Sequence, residues 1–208
     1  MISLQLPEGV VSHFTSAEIR GSELYDEEVA LCNQYEANRQ LDFNRGRYCA
    51  HQCLNYFGKR QAILRDKDGV PLWPSDIRGS ISHTFGLAGA VVALTNEIDA
   101  VGLDIERVGR IDRDLWKVLF TEKEIDFLNN RSFDDQRQLS TLMFSAKEAF
   151  FKMQYPLTRK GMEFEDLEIE IVDKEVKIRA MGTLSDQFKI ITDFTDIYVI
   201  CLLLKTNI

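Results

Sequence analysis

Residues 79–106 read GSISHTFGLAGAVVALTNEIDAVGLDIE, and three short runs within them, GSISH, AGAVVALT and IDAVGLDIE, have the composition of β-strands. In the last run side chains alternate, so Val101, Leu103 and Ile105 share one face while Gly102, Asp104 and Glu106 share the other. Two carboxylates therefore point the same way, and Gly102 beside them leaves room for a ligand to approach the backbone. Like charges so placed repel unless a proton or cation intervenes. The pattern suits a hard divalent ion such as magnesium, which takes few protein oxygens and keeps phosphate and water ligands. The same letters also describe an amphipathic strand with its acids toward water, so a third partner is needed.

Outward from this stretch the pattern is helical on both sides. Segment 22–57 has helical spacing, with Ser22 as a cap, apolar residues at Phe43, Cys49, Ala50, Cys53, Leu54 and Phe57, and Gly58 as the stop. Arg39, Arg45 and Arg47 lie in or beside that helix, and Asp68-Gly69 with Pro71 and Pro74 break regularity until about Gly79. Downstream, 112–130 and 134–153 return to helical spacing, and the chain ends in the strand-like runs LEIEIVD, EVKIRAM and YVICLLLK. The expected fold class is α+β. Within FSAKEAFFK (144–152), spacing by four aligns Phe144, Glu148 and Lys152, with Lys147 at the edge of that face. A carboxylate beside two ammonium groups can complete a metal site while the lysines meet phosphate; the plainer alternative is an ordinary surface ion pair.

The chain has 208 residues, 45% hydrophobic and 28% charged, enough for one large domain or two small lobes. A net charge of -8 argues against nucleic acid or anionic membrane as a partner. The first residues carry no basic, then apolar, leader pattern, and no run reaches the roughly 18 apolar residues of a membrane span, so the expected location is the cytoplasm. Cys32, Cys49, Cys53 and Cys201 read as buried thiols, since a metal pair at Cys49 and Cys53 lacks further ligands at short spacing.

Taken together, four stretches in order carry a resemblance. GLDIE followed by FSAKEAFFK is similar to the G-x-D-x-E and W/F-x-x-K-E-x-x-x-K pair of the surfactin-type phosphopantetheinyl transferases. GVPLWPSDIRGSISHT and FNRGRYCAHQCL resemble upstream runs of the subgroup typified by enterobactin synthetase component D. The resemblance spans roughly residues 39–156. It implies two pseudo-symmetric α/β lobes, residues 1–97 binding coenzyme A and 98–208 carrying the metal and catalytic motifs, with the active site in the cleft between them. The implied reaction moves the 4'-phosphopantetheine arm of coenzyme A onto a serine of an apo acyl, peptidyl or aryl carrier protein and releases 3',5'-ADP, serving siderophore, nonribosomal-peptide or polyketide synthesis. A complete cleft in one chain makes a monomer the expectation.

By the same resemblance Asp104, Glu106 and Glu148 hold magnesium, or manganese in its place; Ser82 and His83 contact the coenzyme; Lys147 and Lys152 are the motif lysines, Lys152 meeting phosphate and the departing 3',5'-ADP. Arg47, with Arg39 or Arg45, is implied at the 3'-phosphate, and Gly69 and Pro71 at the adenine end, where Val70 replaces a lysine of some relatives. FTEKEIDFL resembles the family segment whose glutamate is the general base, which maps to Glu124; Thr121 and Glu124 also have the spacing of a capping box. The run RVGRIDR offers Arg107, Arg110 and Arg113 to an acidic carrier. Two rival readings stand beside this one: a magnesium-dependent phosphohydrolase of coenzyme A or nucleotides, and a non-catalytic coenzyme A-binding protein.

Overall fold

The computed structural model describes residues 2, 4–172, 175–180 and 188–207. Asp173 and Met181, which end the quoted runs LEIEIVD and EVKIRAM, lie outside them. The elements are β1 (Val10–Thr15), α1 (Asp26–Cys32), α2 (Ala37–Tyr56), β2 (Ile77–Thr84), β3 (Leu87–Leu94), β4 (Ile98–Arg107), α3 (Trp116–Leu119), α4 (Glu122–Asn129), α5 (Phe133–Thr158), β5 (Leu167–Val172), β6 (Glu175–Ala180), β7 (Phe188–Phe194) and β8 (Tyr198–Thr206).

One topology occurs twice. The sheet order β1-β3-β2 has a first strand, then helix α2, then two strands of which the last lies in the middle, all antiparallel. The order β4-β8-β7 repeats that plan around α5, with the β5-β6 hairpin inserted before β7. β1 to β3 precede residue 97 and β4 to β8 follow it.

Alternation sets the layers. On β3, Ala90 and Val92 pack against Cys49, Ala50, Cys53 and Leu54 of α2, while Val91 and Ala93 face the second sheet. There they meet Leu103, Ile105, Ile200 and Leu202, and the opposite face of β8, Cys201 and Leu203, lies under Met143, Ala146, Ala149 and Phe150 of α5. The result is a helix-sheet-sheet-helix stack of mixed α+β class. β8 is buried on both faces, which is why YVICLLLK reads as a continuous apolar run rather than an alternating one.

Three expectations change. The 22–57 helix is divided: a 3-10 turn at Gly21–Glu23, α1, and α2, which ends at Phe57 with Gly58 in the left-handed region (φ 67°). FKIITDF forms β7, a strand that the sequence reading passed over. Gly102 does not open a path for ligand; a Cβ there would overlap the Ala149 carbonyl oxygen and come within 2.8 Å of Met153 Cβ, so the missing side chain admits the backbone of α5. No described helix is long and apolar enough to cross a membrane.

Candidate active site

The two sheets meet where β2 passes β4, and serine hydroxyls join them. Ser80 Oγ accepts the Leu103 N–H at 2.9 Å and Ser82 Oγ accepts that of Ile105 at 3.2 Å, satisfying backbone donors of β4. Ser82 Oγ also donates to Asp104 Oδ1 (3.1 Å) and lies 3.1 Å from Lys152 Nζ. Ser82 is buried and its hydroxyl fully engaged, so the side chain braces the two sheets and fixes Asp104.

Beside that brace the acids converge, and the outward-facing alternative for β4 fails because Asp104 and Glu106 are only 2% and 6% exposed. Lys152 of α5 reaches across to Asp104 Oδ1 at 2.6 Å, while the buried Oδ2 has no hydrogen-bond partner among the described atoms. Glu106 accepts a hydrogen bond from Arg110 at 2.8 Å. Burial, and then the neighbouring Asp104 charge, push the Glu106 carboxyl up to about 7 against the pull of Arg110. Burial likewise raises Glu148, with Lys152 opposing and Asp104 adding. The Asp104 charge thus bears on both glutamates, and of the three carboxylates Glu148 alone is half-buried.

Among the described residues no group of three His, Cys, Asp or Glu is gathered closely enough to hold a metal ion as it stands. The donor set nonetheless fits magnesium: all hard oxygens, Glu106 and Glu148 raised by burial and by the Asp104 charge, with an orphaned buried oxygen on Asp104.

From Lys152 a cleft of about 780 Å³ extends between α2, the 65–75 segment, β2, the start of β4 and the last turns of α5. Its lining holds six cations, Arg39, Arg47, Arg65, Arg78, Lys152 and Arg159, against three carboxylates, Asp42, Asp68 and Asp99. In a chain of net charge -8 this is a local reversal of sign suited to a polyanion. Gly69 and Pro71 are in the wall; Gly69 turns at φ 85°, and Asp66 Oδ1 accepts the N–H groups of Asp68 and Val70 at 2.9 Å each. Arg159 closes one rim by pairing with Asp66 at 2.6 Å. His83 lines the cleft half-exposed, Nδ1 3.5 Å from Asp42 Oδ2. Its pKa is held below the usual value, first by burial, with Asp42 opposing and Lys152 and Arg39 assisting.

The structure brings Arg39, Arg47, Gly69, Pro71, His83 and Lys152 to one cleft beside Asp104, Glu106 and Glu148. Arg45 is turned away, its Nε donating to the Ala17 carbonyl at 2.9 Å. Lys147 and Glu124 lie elsewhere. Lys147 is 0% exposed and donates to the Leu119 carbonyl (2.9 Å), Glu124 Oε2 (2.8 Å) and the Phe164 carbonyl (2.9 Å), which uses all three of its protons. Glu124 is 1% exposed; its Oε2 also accepts the Thr121 N–H at 2.7 Å, within the expected capping box, and its Oε1 accepts that of Ile169 at 2.7 Å. Neither lines the cleft; Lys147 has no proton left for a substrate, and Glu124 is enclosed with three of its acceptor sites taken. Arg65 and Arg159 sit outside the quoted motifs, and Arg78, within GVPLWPSDIRGSISHT, has nothing in its spacing that marks it as a ligand.

The N-terminal domain model of the 4'-phosphopantetheinyl transferases matches residues 27–93, and the model of the 4'-phosphopantetheinyl transferase superfamily matches residues 100–202. The chain is 30% identical over 176 residues to the 4'-phosphopantetheinyl transferase Svp of Streptomyces mobaraensis, covering 82% of this chain and 72% of that protein. The chain belongs to the 4'-phosphopantetheinyl transferase superfamily. Similarity extends to the 4'-phosphopantetheinyl transferase Npt of Nocardia iowensis, at 29% identity over 81% of this chain and 76% of that protein. Enterobactin synthase component D of Escherichia coli K12 is 32% identical over 59% of this chain and 58% of its own length. As a transferase of this family the protein has its two family segments on either side of the β3-β4 turn.

Proposed function

We propose that this transferase moves the 4'-phosphopantetheine arm of coenzyme A to the serine hydroxyl of an apo carrier protein, with 3',5'-ADP as the leaving product. The observation that carries the reading is a cationic cleft that ends, at Lys152, on the buried Asp104, whose charge bears on Glu106 and Glu148. Asp104, Glu106 and Glu148 would hold magnesium, or manganese, which when bound neutralises charge on the pyrophosphate.

The remaining work falls to the chain's own groups. Arg47 and Arg39 supply charge-assisted hydrogen bonds to the 3'-phosphate end, their planes kept in place over Phe43 (4.5 Å) and Tyr35 (4.7 Å). Gly69 and Pro71 shape the adenine end, and His83 faces the pyrophosphate with Asp42 orienting its ring. Lys152, a compact charge about one-third exposed (29%), binds phosphate oxygen and eases departure of 3',5'-ADP. Glu148, the carboxylate partly open to solvent, takes the proton of the incoming serine in place of the enclosed Glu124. Arg107, Arg110 and Arg113 offer positive charge to an acidic carrier, and a cleft completed within one chain supports a monomer, placed in the cytoplasm, as the working unit.

The test is to incubate the protein with coenzyme A, magnesium and apo acyl, peptidyl and aryl carrier proteins and to weigh the carriers. A gain of about 340 Da on a carrier, lost with EDTA, is the expected result. Phosphate-containing products with no gain on any carrier would favour hydrolysis instead.

A further inference from the structure

Glu28 is a carboxylate that the reaction does not use, buried to 0% exposure in α1. Its oxygens gather groups from three segments. Oε2 accepts the Tyr25 N–H at 3.2 Å, at the start of its own helix. Oε1 accepts the Ile63 N–H at 2.7 Å, receives His51 Nε2 of α2 at 2.9 Å, and lies 4.0 Å from Arg47 Nε one turn earlier on α2. Two of these links lead directly to the cleft. Ile63 opens a segment that folds back on itself, Leu72 N–H bonding to the Leu64 carbonyl at 3.0 Å and Arg65 bridging to Pro71, and this fold-back carries Arg65, Gly69 and Pro71 into the wall. Arg47 lines the cleft from α2, 6% exposed, and its buried Nε has no hydrogen-bond partner among the described atoms.

A carboxylate at this depth costs desolvation that an apolar side chain would avoid, so a role in stability alone is a poor reason for it. What Glu28 does that an apolar residue cannot is accept the Ile63 N–H at the root of the 63–72 segment while placing its charge 4.0 Å from the Arg47 guanidinium. We infer that Glu28 is a positioning residue for coenzyme A, setting Arg47 and the 63–72 segment at a fixed spacing so that both engage one anionic ligand. The inference rests on the proposed coenzyme site. Burial draws the Arg47 guanidinium down to about 10, and Glu28 is the strongest influence opposing that shift, which keeps the arginine charged.

The test compares wild type, Glu28→Gln, Arg47→Lys and the double variant by calorimetric titration with coenzyme A and by transfer kinetics. Glu28→Gln is expected to bind coenzyme A about tenfold more weakly, with KM raised alike and kcat at saturation within about twofold of wild type. The double variant is expected to lose clearly less than the sum of the two single losses, since Arg47 is one of the two groups through which Glu28 acts. Unchanged binding in Glu28→Gln overturns the inference. So does tighter binding, which would mean that the carboxylate only dilutes the positive field, and so does a fully additive double variant. If melting shows Glu28→Gln unfolded, Glu28→Asp, which keeps the charge but shortens its reach, replaces it with the same loss expected and the same overturning results. Failure of the wild type to bind coenzyme A sinks the coenzyme site itself, whereas normal wild-type binding with a normal variant sinks Glu28 alone.

Discussion

Lys147 and Glu148 are neighbours in sequence with opposite surroundings. Successive residues on a helix are separated by about 100°, so one side chain of the pair turns into the core below α5 while the other turns toward Asp104 and Lys152. Spacing by four made the Glu148 and Lys152 face legible in the sequence, but nothing local says that Lys147 has three acceptors waiting from residues 119, 124 and 164. The same blindness applies to Glu28, whose partners are Arg47, His51 and Ile63. Lys147→Met should destabilise the fold by about 3–5 kcal/mol in urea unfolding, because it leaves Glu124 charged and enclosed. A stable variant that has lost transfer would instead put Lys147 at the substrate. The thiols were read correctly as buried: Cys49 and Cys53 lie against the Ala88 and Ala90 carbonyls, and burial pushes each up to about 12 from 9.0. Since the unfolded chain releases these protons near 9 and the native fold retains them, stability should fall as pH rises from about 9 toward 12. Thermal midpoints across that range check the sign, and iodoacetamide at about pH 8 should leave the native thiols unlabelled.

Strands were legible where short β-rich runs are bounded by turn residues. GSISH, AGAVVALT and IDAVGLDIE became β2, β3 and β4 because their register is dictated by burial. FKIITDF has adjacent isoleucines and an aspartate that break alternation, so β7 is visible only once β8 pairs with it. The helical segment 22–57 was seen, but its break at 33–36 was not, since the turn that ends α1 carries no glycine or proline. Gly102 is the element-scale lesson: a glycine beside two acids looks like ligand space, and packing uses it to seat α5 on β4. Gly102→Ala should cost about 1–3 kcal/mol and lower the thermal midpoint, because the obstructing atoms are backbone and cannot swing aside. An unchanged midpoint would mean that α5 does not approach so closely.

The whole molecule repeats one plan, with sheet orders β1-β3-β2 and β4-β8-β7 each carrying a long helix, although the letters show no repeat. Topology survives because many residue choices satisfy the same alternation, so symmetry persists after sequence identity between the halves is gone. That plan sets a cationic cleft against an acidic cluster, with Lys152 as the hinge between them. The central claim is that this cluster, and not the enclosed Glu124 and Lys147, drives metal-dependent transfer. The most direct measurement is the initial rate of phosphopantetheine transfer to an apo carrier by wild type and Asp104→Asn, each with magnesium and with EDTA, alongside circular dichroism. The account predicts transfer by the wild type that EDTA abolishes, and a folded Asp104→Asn slower by at least about a hundredfold with magnesium present. A folded Asp104→Asn that transfers at the wild-type rate would contradict it.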